Sequence, residues 1–197
     1  MRVRKSRDER RLEVVETTLR LAARLGPDRI TAEAIAQELG VSQPAVFRHF
    51  PRKDDIWTAT IDWLGDSLQQ AWERSAEGVA AAELLPALVA AHLAFVESHP
   101  AVPLVLLSPE LQARHESVRQ ATARLMGLFH ARLGQALERG RTAGAYGEDL
   151  DPARAAWMLL AIIQGVALRW TASRQAFDLR AEGLALVGMA VAGIARR

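Results

Sequence analysis

Residues 31–53 read TAEAIAQELGVSQPAVFRHFPRK: two short helices, a tight turn between them, and a basic, aromatic close. Thr31 stands where its hydroxyl can cap an orphan backbone N–H of the first helix. Ile35, Ala36 and Leu39 fall at i, i+1 and i+4 and form one apolar face. Gly40 ends that helix, because a left-handed turn residue costs glycine little. Ser42 caps a second helix, with Pro44 in its first turn, where no intrahelical N–H is required. Val46 and Phe50, four apart, turn to the core. Gln43, Pro44, Phe47 and Arg48 are left on the opposite side. A short helix that presents its N-terminal end and one polar face suits the major groove of B-DNA.

The charge around this segment agrees with a phosphate partner. Residues 1–53 hold 12 Lys/Arg against 7 Asp/Glu, while residues 54–197 hold 13 against 16. A basic head on an acidic body is expected where only the head meets nucleic acid. The arm residues Arg2, Arg4, Lys5 and Arg7 read as a solvated tail that adds non-specific attraction.

Working outward, Ser6 and Glu9 form a Ser-x-x-Glu capping box that starts a helix near Arg7. Leu12, Val15, Leu19 and Ala22 give it a stripe, and Gly26-Pro27 ends it. A fourth helix is predicted over 53–77, with Ile56, Thr60, Trp63, Leu64 and Leu68 on one face. Five more follow over 82–98, 102–107, 109–140, 152–173 and 179–196, with a glycine-rich loop at 140–147. No period-2 alternation marks a strand and no repeat is present, so the reading is all-α, about nine helices. The apolar runs 155–168 and 183–195 fall short of the ~20 residues of a spanning helix. With a charged rather than apolar N-terminus, this predicts a cytoplasmic protein without a membrane partner. The absence of cysteine excludes disulfides, thiolate catalysis and cysteine-bound zinc. No histidine pair has i, i+4 ligand spacing, and no acid pair or Ser/His/Asp order has a local context. Neither metal, cofactor nor catalysis is expected.

Gly40-Val41-Ser42, then Val46-Phe47-Arg48-His49-Phe50-Pro51, then Lys53, resembles the signature of the TetR family of one-component transcriptional regulators. The resemblance covers about residues 8–57. It implies a three-helix N-terminal DNA-binding domain (1–52) and a helical effector-binding and dimerisation domain (53–197). Ser42, Gln43, Pro44, Ala45 and Arg48 would approach bases or flanking phosphates, and Thr31, His49 and Lys53 would hold the backbone. Where the family usually carries Tyr, this chain has Phe47, whose contact must be apolar. The last two helices are apolar on nearly every face, so a second copy is expected to cover them through Ala161, Gly165, Leu168, Leu184, Gly188 and Val191. Trp63, His92, Phe95, Met126, Phe129, His130, Trp157 and Gln164 are the candidates for an effector pocket for a hydrophobic small molecule. The function implied is a homodimeric repressor that leaves a near-palindromic operator when ligand binds. The alternative is a DNA-binding regulator whose body binds a protein.

Gln43 has an amide that can pair with adenine, so Gln43→Ala should cost ~1–3 kcal/mol at one operator position and relax preference there. Lys53→Ala should weaken binding to all sequences alike and lower the salt slope by about one. Titrations of a base-substitution series at several salt concentrations separate the two.

Overall fold

The computed structural model describes residues 6–194. Among them are α1 (Arg7–Leu25), α2 (Ala32–Leu39), α3 (Gln43–Phe47), α4 (Lys53–Ala76), α5 (Leu84–Ser98), α6 (Ala101–Leu106), α7 (Pro109–Arg114), α8 (Glu116–Thr142), α9 (Pro152–Ala172) and α10 (Leu179–Ile194). No strand occurs among the described residues, and the all-α expectation holds. Arg2, Arg4 and Lys5 of the expected arm lie outside the described residues, while Arg7 opens α1.

The helix boundaries follow the local signals closely. The Ser6 hydroxyl accepts from Glu9 N at 3.1 Å and the Glu9 carboxylate accepts from Ser6 N at 2.6 Å, closing the capping box of α1. Asp151 accepts from the N–H groups of Ala153 and Arg154, both at 3.1 Å, and Pro152 occupies the first turn of α9. One helix more than expected arises because the long run predicted from Pro109 onward is broken at His115. There φ is −135° and ψ is 98°, an extended conformation, and Nδ1 of the ring lies 2.7 Å from a carboxylate oxygen of Asp54. A tertiary contact thus accompanies the break in a locally helical sequence.

Contacts group the chain into two interleaved compact units, Met1–Gly65 with Pro100–Ala123, and Asp66–His99 with Arg124–Arg197. This grouping differs from a division after residue 52, because α6 packs on α1 and α7 on the 3₁₀ turn Pro27–Arg29. The first unit closes on Val14, Leu21, Ile30, Ile35, Phe50 and Trp57, all nearly solvent-free. In the second, α9 and α10 pack together, and α5 packs on both. Gly183 lets α10 approach Leu93, whose methyl groups occupy the place of a Cβ. α9 is 21 residues long and, by length and composition alone, apolar enough to cross a membrane, longer than the run read from sequence. One side of it, including Leu159, Leu160, Ile163 and Trp170, is buried within the unit.

The second unit also encloses an aromatic stack. The Phe129 ring lies 4.0 Å from His92 and 5.0 Å from Trp72, centroid to centroid, all nearly parallel. Nδ1 of His92 and Nε1 of Trp72 are buried without hydrogen-bond partners. Burial pushes the His92 imidazole down from an ordinary 6.5 to about 3. The unfolded chain therefore takes up a proton that the folded chain refuses. Stability should be full above about pH 6.5 and fall, by a few kcal/mol in all, as pH drops towards about 3. Urea midpoints across that window should show the loss, and His92→Phe should flatten it.

Candidate functional site

The head presents its candidate DNA-contacting residues from a small, well-pinned segment. The Thr31 hydroxyl accepts from Ala34 N at 3.0 Å and starts α2. Gly40 ends that helix at φ 63°, ψ 37°, the left-handed conformation a glycine tolerates, and Val41 N then donates to Ala36 O at 3.0 Å. Ser42 has the extended backbone of an N-cap, but its hydroxyl makes no capping bond, contrary to expectation. The reason is local. Pro44 at the second helical position has no N–H, and Ala45 N already donates to Ser42 O at 2.9 Å. The Ser42 side chain is exposed and not engaged in the cap.

Val46 and Phe50 are buried at 1% and 0% exposure, which anchors the helix to the core. Gln43, Pro44, Phe47 and Arg48 are exposed as expected, Ala45 is half-buried, and Phe47 retains 37% of its surface. Thr31 is exposed, and His49 and Lys53 are half-buried at the flanks. Nδ1 of His49 is buried without a partner. Burial first, then the positive charges of Arg48, Arg7, Arg10 and Arg11, hold His49 below the ordinary histidine range. The ring thus sits amid the positive charge of four arginines.

Arg11 is the residue of this site that the sequence reading missed. Its Nη1 donates to the main-chain oxygen of His49 at 2.6 Å, and its guanidinium carbon lies 4.2 Å from the centroid of the Phe50 ring. It thus satisfies a carbonyl at the C-terminal end of the recognition segment while stacking on the residue that anchors it. Nothing in the spacing of residues 7–11 marks one arginine among three as the clamp.

The second unit distributes the candidate pocket residues among separate contacts. His92 and Phe129 meet in the aromatic stack. Gln164 Nε2 approaches Met126 Sδ at 2.8 Å. The His130 ring lies against Trp157 at 4.4 Å and contacts Ala153 O through Nε2 at 3.1 Å. Phe95 stacks on His99 at 4.2 Å. Trp63 belongs to the first unit, and Trp157 is 61% exposed on the outer face of α9. The cavity that does open lies elsewhere. Trp72, Leu84, Leu88 and Ala136 form its apolar wall, and Arg132, Gln135 and Arg139 stand beside them, around a volume of about 60 Å³. Trp72 lies one helical step, i+4, beyond Leu68 on α4, so extending that stripe would have found it.

Ala161, Gly165 and Leu168 on α9 and Gly188 on α10 are exposed, with Leu184 and Val191 half-buried. Around them Met158, Leu168 and Met189 are 37%, 43% and 73% exposed. A groove of about 600 Å³ runs along this face, lined in part by Ala161, Gly165, Phe177 and Leu186. Among the described residues no three His, Cys, Asp or Glu side chains are placed to hold a metal ion.

Comparison with known proteins agrees with this arrangement. The family described as bacterial regulatory proteins, tetR family, matches residues 14–60, and the tetracyclin repressor-like C-terminal domain matches residues 81–181. The nucleoid occlusion factor SlmA of Shewanella amazonensis is 28% identical over 165 residues, 82% of each chain. A TetR transcription regulator from Haloarcula marismortui superposes with a TM-score of 0.82 at 21% identity, covering 95% of this chain and 98% of that one. The regulator FadR from Bacillus subtilis, in complex with stearoyl-CoA, superposes with a TM-score of 0.79 at 22% identity, covering 93% and 98%.

Arg11→Gln should weaken binding to a selected operator duplex by about tenfold, since it frees the end of the recognition segment. The salt slope should stay unchanged, because the guanidinium is engaged with protein. A slope lower by about one would instead place Arg11 on a phosphate.

Proposed function

The chain belongs to the TetR family of bacterial DNA-binding transcriptional regulators, and from that premise we propose a homodimeric repressor that leaves its operator when a small apolar molecule occupies the second unit. The observation that carries the ligand-responsive part is the cavity beside Trp72, Leu88 and Arg139. The stearoyl-CoA complex of the Bacillus subtilis FadR neighbour supports an effector in this fold.

Dimerisation follows from the outer face of α9 and α10. Trp157, Met158, Leu168 and Met189 together leave an apolar patch that water solvates poorly. The small residues Ala161, Gly165 and Gly188 among them let a second copy approach closely. Two heads would then read half-sites ~34–36 Å apart in successive major grooves of a near-palindromic operator. Effector binding releases DNA only in so far as ligand favours a dimer whose heads no longer match that spacing. Ser42, Gln43, Pro44, Ala45 and Arg48 serve base and near-base contacts, and Thr31, His49 and Lys53 the backbone. Phe47, lacking a hydroxyl, contacts sugar or a thymine methyl. The site of action is the cytoplasm.

A second reading has an observation of its own in favour. The Shewanella amazonensis relative, matched over 82% of both chains, is a nucleoid occlusion factor. On that reading the chain binds many chromosomal sites, its body meets a protein partner, and no small effector exists.

Selection of bound sequences from random duplex DNA, at physiological salt, tests both. A two-fold-symmetric motif confined to a few promoters supports the repressor. A motif scattered along the chromosome supports the second reading, and no enriched motif sinks the first. Leu168→Glu should shift the protein to monomers in sedimentation and weaken binding to a two-half-site duplex by ~100-fold, with single half-site binding retained.

A further inference from the structure

The cavity in the second unit has a polar lining of one kind. Arg132 and Arg139 are donors without acceptor capacity, and only Gln135 brings a carbonyl beside its amide N–H groups. Trp72 is 1% exposed, and its Nε1 is buried with no partner. Arg132 contacts Glu73 at 3.2 Å, whereas Arg139 makes no ion pair among the described residues. Two guanidinium charges against one carboxylate leave a single positive charge unmatched. The lining therefore favours an acceptor that carries one negative charge. The apolar part of the lining, Leu84 and Leu88 with the Trp72 ring, demands an apolar remainder. Size sets the last condition. About 60 Å³ is well under the ~150 Å³ that holds a benzene ring, so the buried part is a short or branched alkyl group rather than a long chain.

We propose that this cavity binds a short apolar monocarboxylate. The carboxylate lies on Arg139 and Arg132, and the alkyl part lies against Trp72, Leu84 and Leu88. This rests on the ligand-responsive reading above and names the class of its effector. It also separates this chain from the FadR neighbour solved with stearoyl-CoA, whose ligand is far larger than the cavity. A carboxylate here exchanges with, or shares, the Glu73 contact to Arg132. Because Glu73 on α4 and Arg132 on α8 both belong to the second unit, ligand binding would reset how these two helices are tied together.

The test uses the full chain and calorimetry with isovalerate and hexanoate. Isoamyl alcohol and isoamylamine serve as neutral and cationic counterparts. Saturable binding of the carboxylates is expected, with the alcohol ~10-fold weaker or worse and the amine silent. Arg139 is exposed, so Arg139→Gln should fold normally and lose ~10-fold or more in carboxylate affinity. Leu88→Phe should fill the cavity and abolish binding. Equal affinity for alcohol and carboxylate, an unaffected Arg139→Gln variant, or no saturable binding up to ~10 mM overturns the proposal. Operator release, followed in parallel, distinguishes the two readings. A neutral compound that releases DNA while carboxylates fail leaves the repressor standing and removes this site chemistry. Isovalerate that binds without affecting DNA keeps the site and removes the repressor.

Discussion

A helix of five residues cannot hold its own shape in water, because its nucleation is not offset by enough internal hydrogen bonds. The recognition segment is such a helix, so its geometry is imposed from outside. Phe50 and Val46 fix its inner side in the core, Gly40 fixes the direction in which the chain enters, and Arg11 holds the carbonyl at its far end. The exposed side chains inherit their precision from these three supports. This arrangement explains how a segment that has lost the usual tyrosine hydroxyl can still be ordered: its order never depended on the residue at 47.

The second unit solves a different problem. Its core holds histidine and tryptophan nitrogens that no protein group satisfies. Parallel stacking on Phe129 recovers dispersion energy for the rings but does nothing for Nδ1 of His92 or Nε1 of Trp72. Such a core is less stable than an all-hydrocarbon one of the same shape, and that shortfall is what a ligand or an ordered water can recover.

Much of this was legible in the residues. Ser6 with Glu9, Thr31, Gly40 and Asp151 with Pro152 are local signals whose energetics involve neighbours within one turn, and each gave its expected boundary. What was not legible is mostly long-range. The break at His115 accompanies a contact with Asp54, sixty-one positions earlier, and no local propensity contains that contact. The packing of α6 and α7 with the N-terminal helices is likewise a long-range choice. At Ser42 the local rule was sound, but the proline two residues on removed the donor it needed. The pocket candidates were chosen as large side chains on amphipathic faces, a criterion that selects core and surface alike. It took in His92 and Phe129, which are buried in a stack, and Trp157, which stands largely in solvent, and it passed over Trp72, which lines the cavity.

Trp157 has an optical consequence. The chain has five tryptophans, of which Trp57, Trp72 and Trp170 are buried, Trp63 is half-buried, and Trp157 alone stands largely in solvent. Its indole also lies against the His130 imidazole, 4.4 Å away. The red edge of the emission spectrum thus belongs to one residue on the outer face of α9. Covering that face would blue-shift it, so the protein carries its own fluorescent reporter on the surface where a second copy would sit.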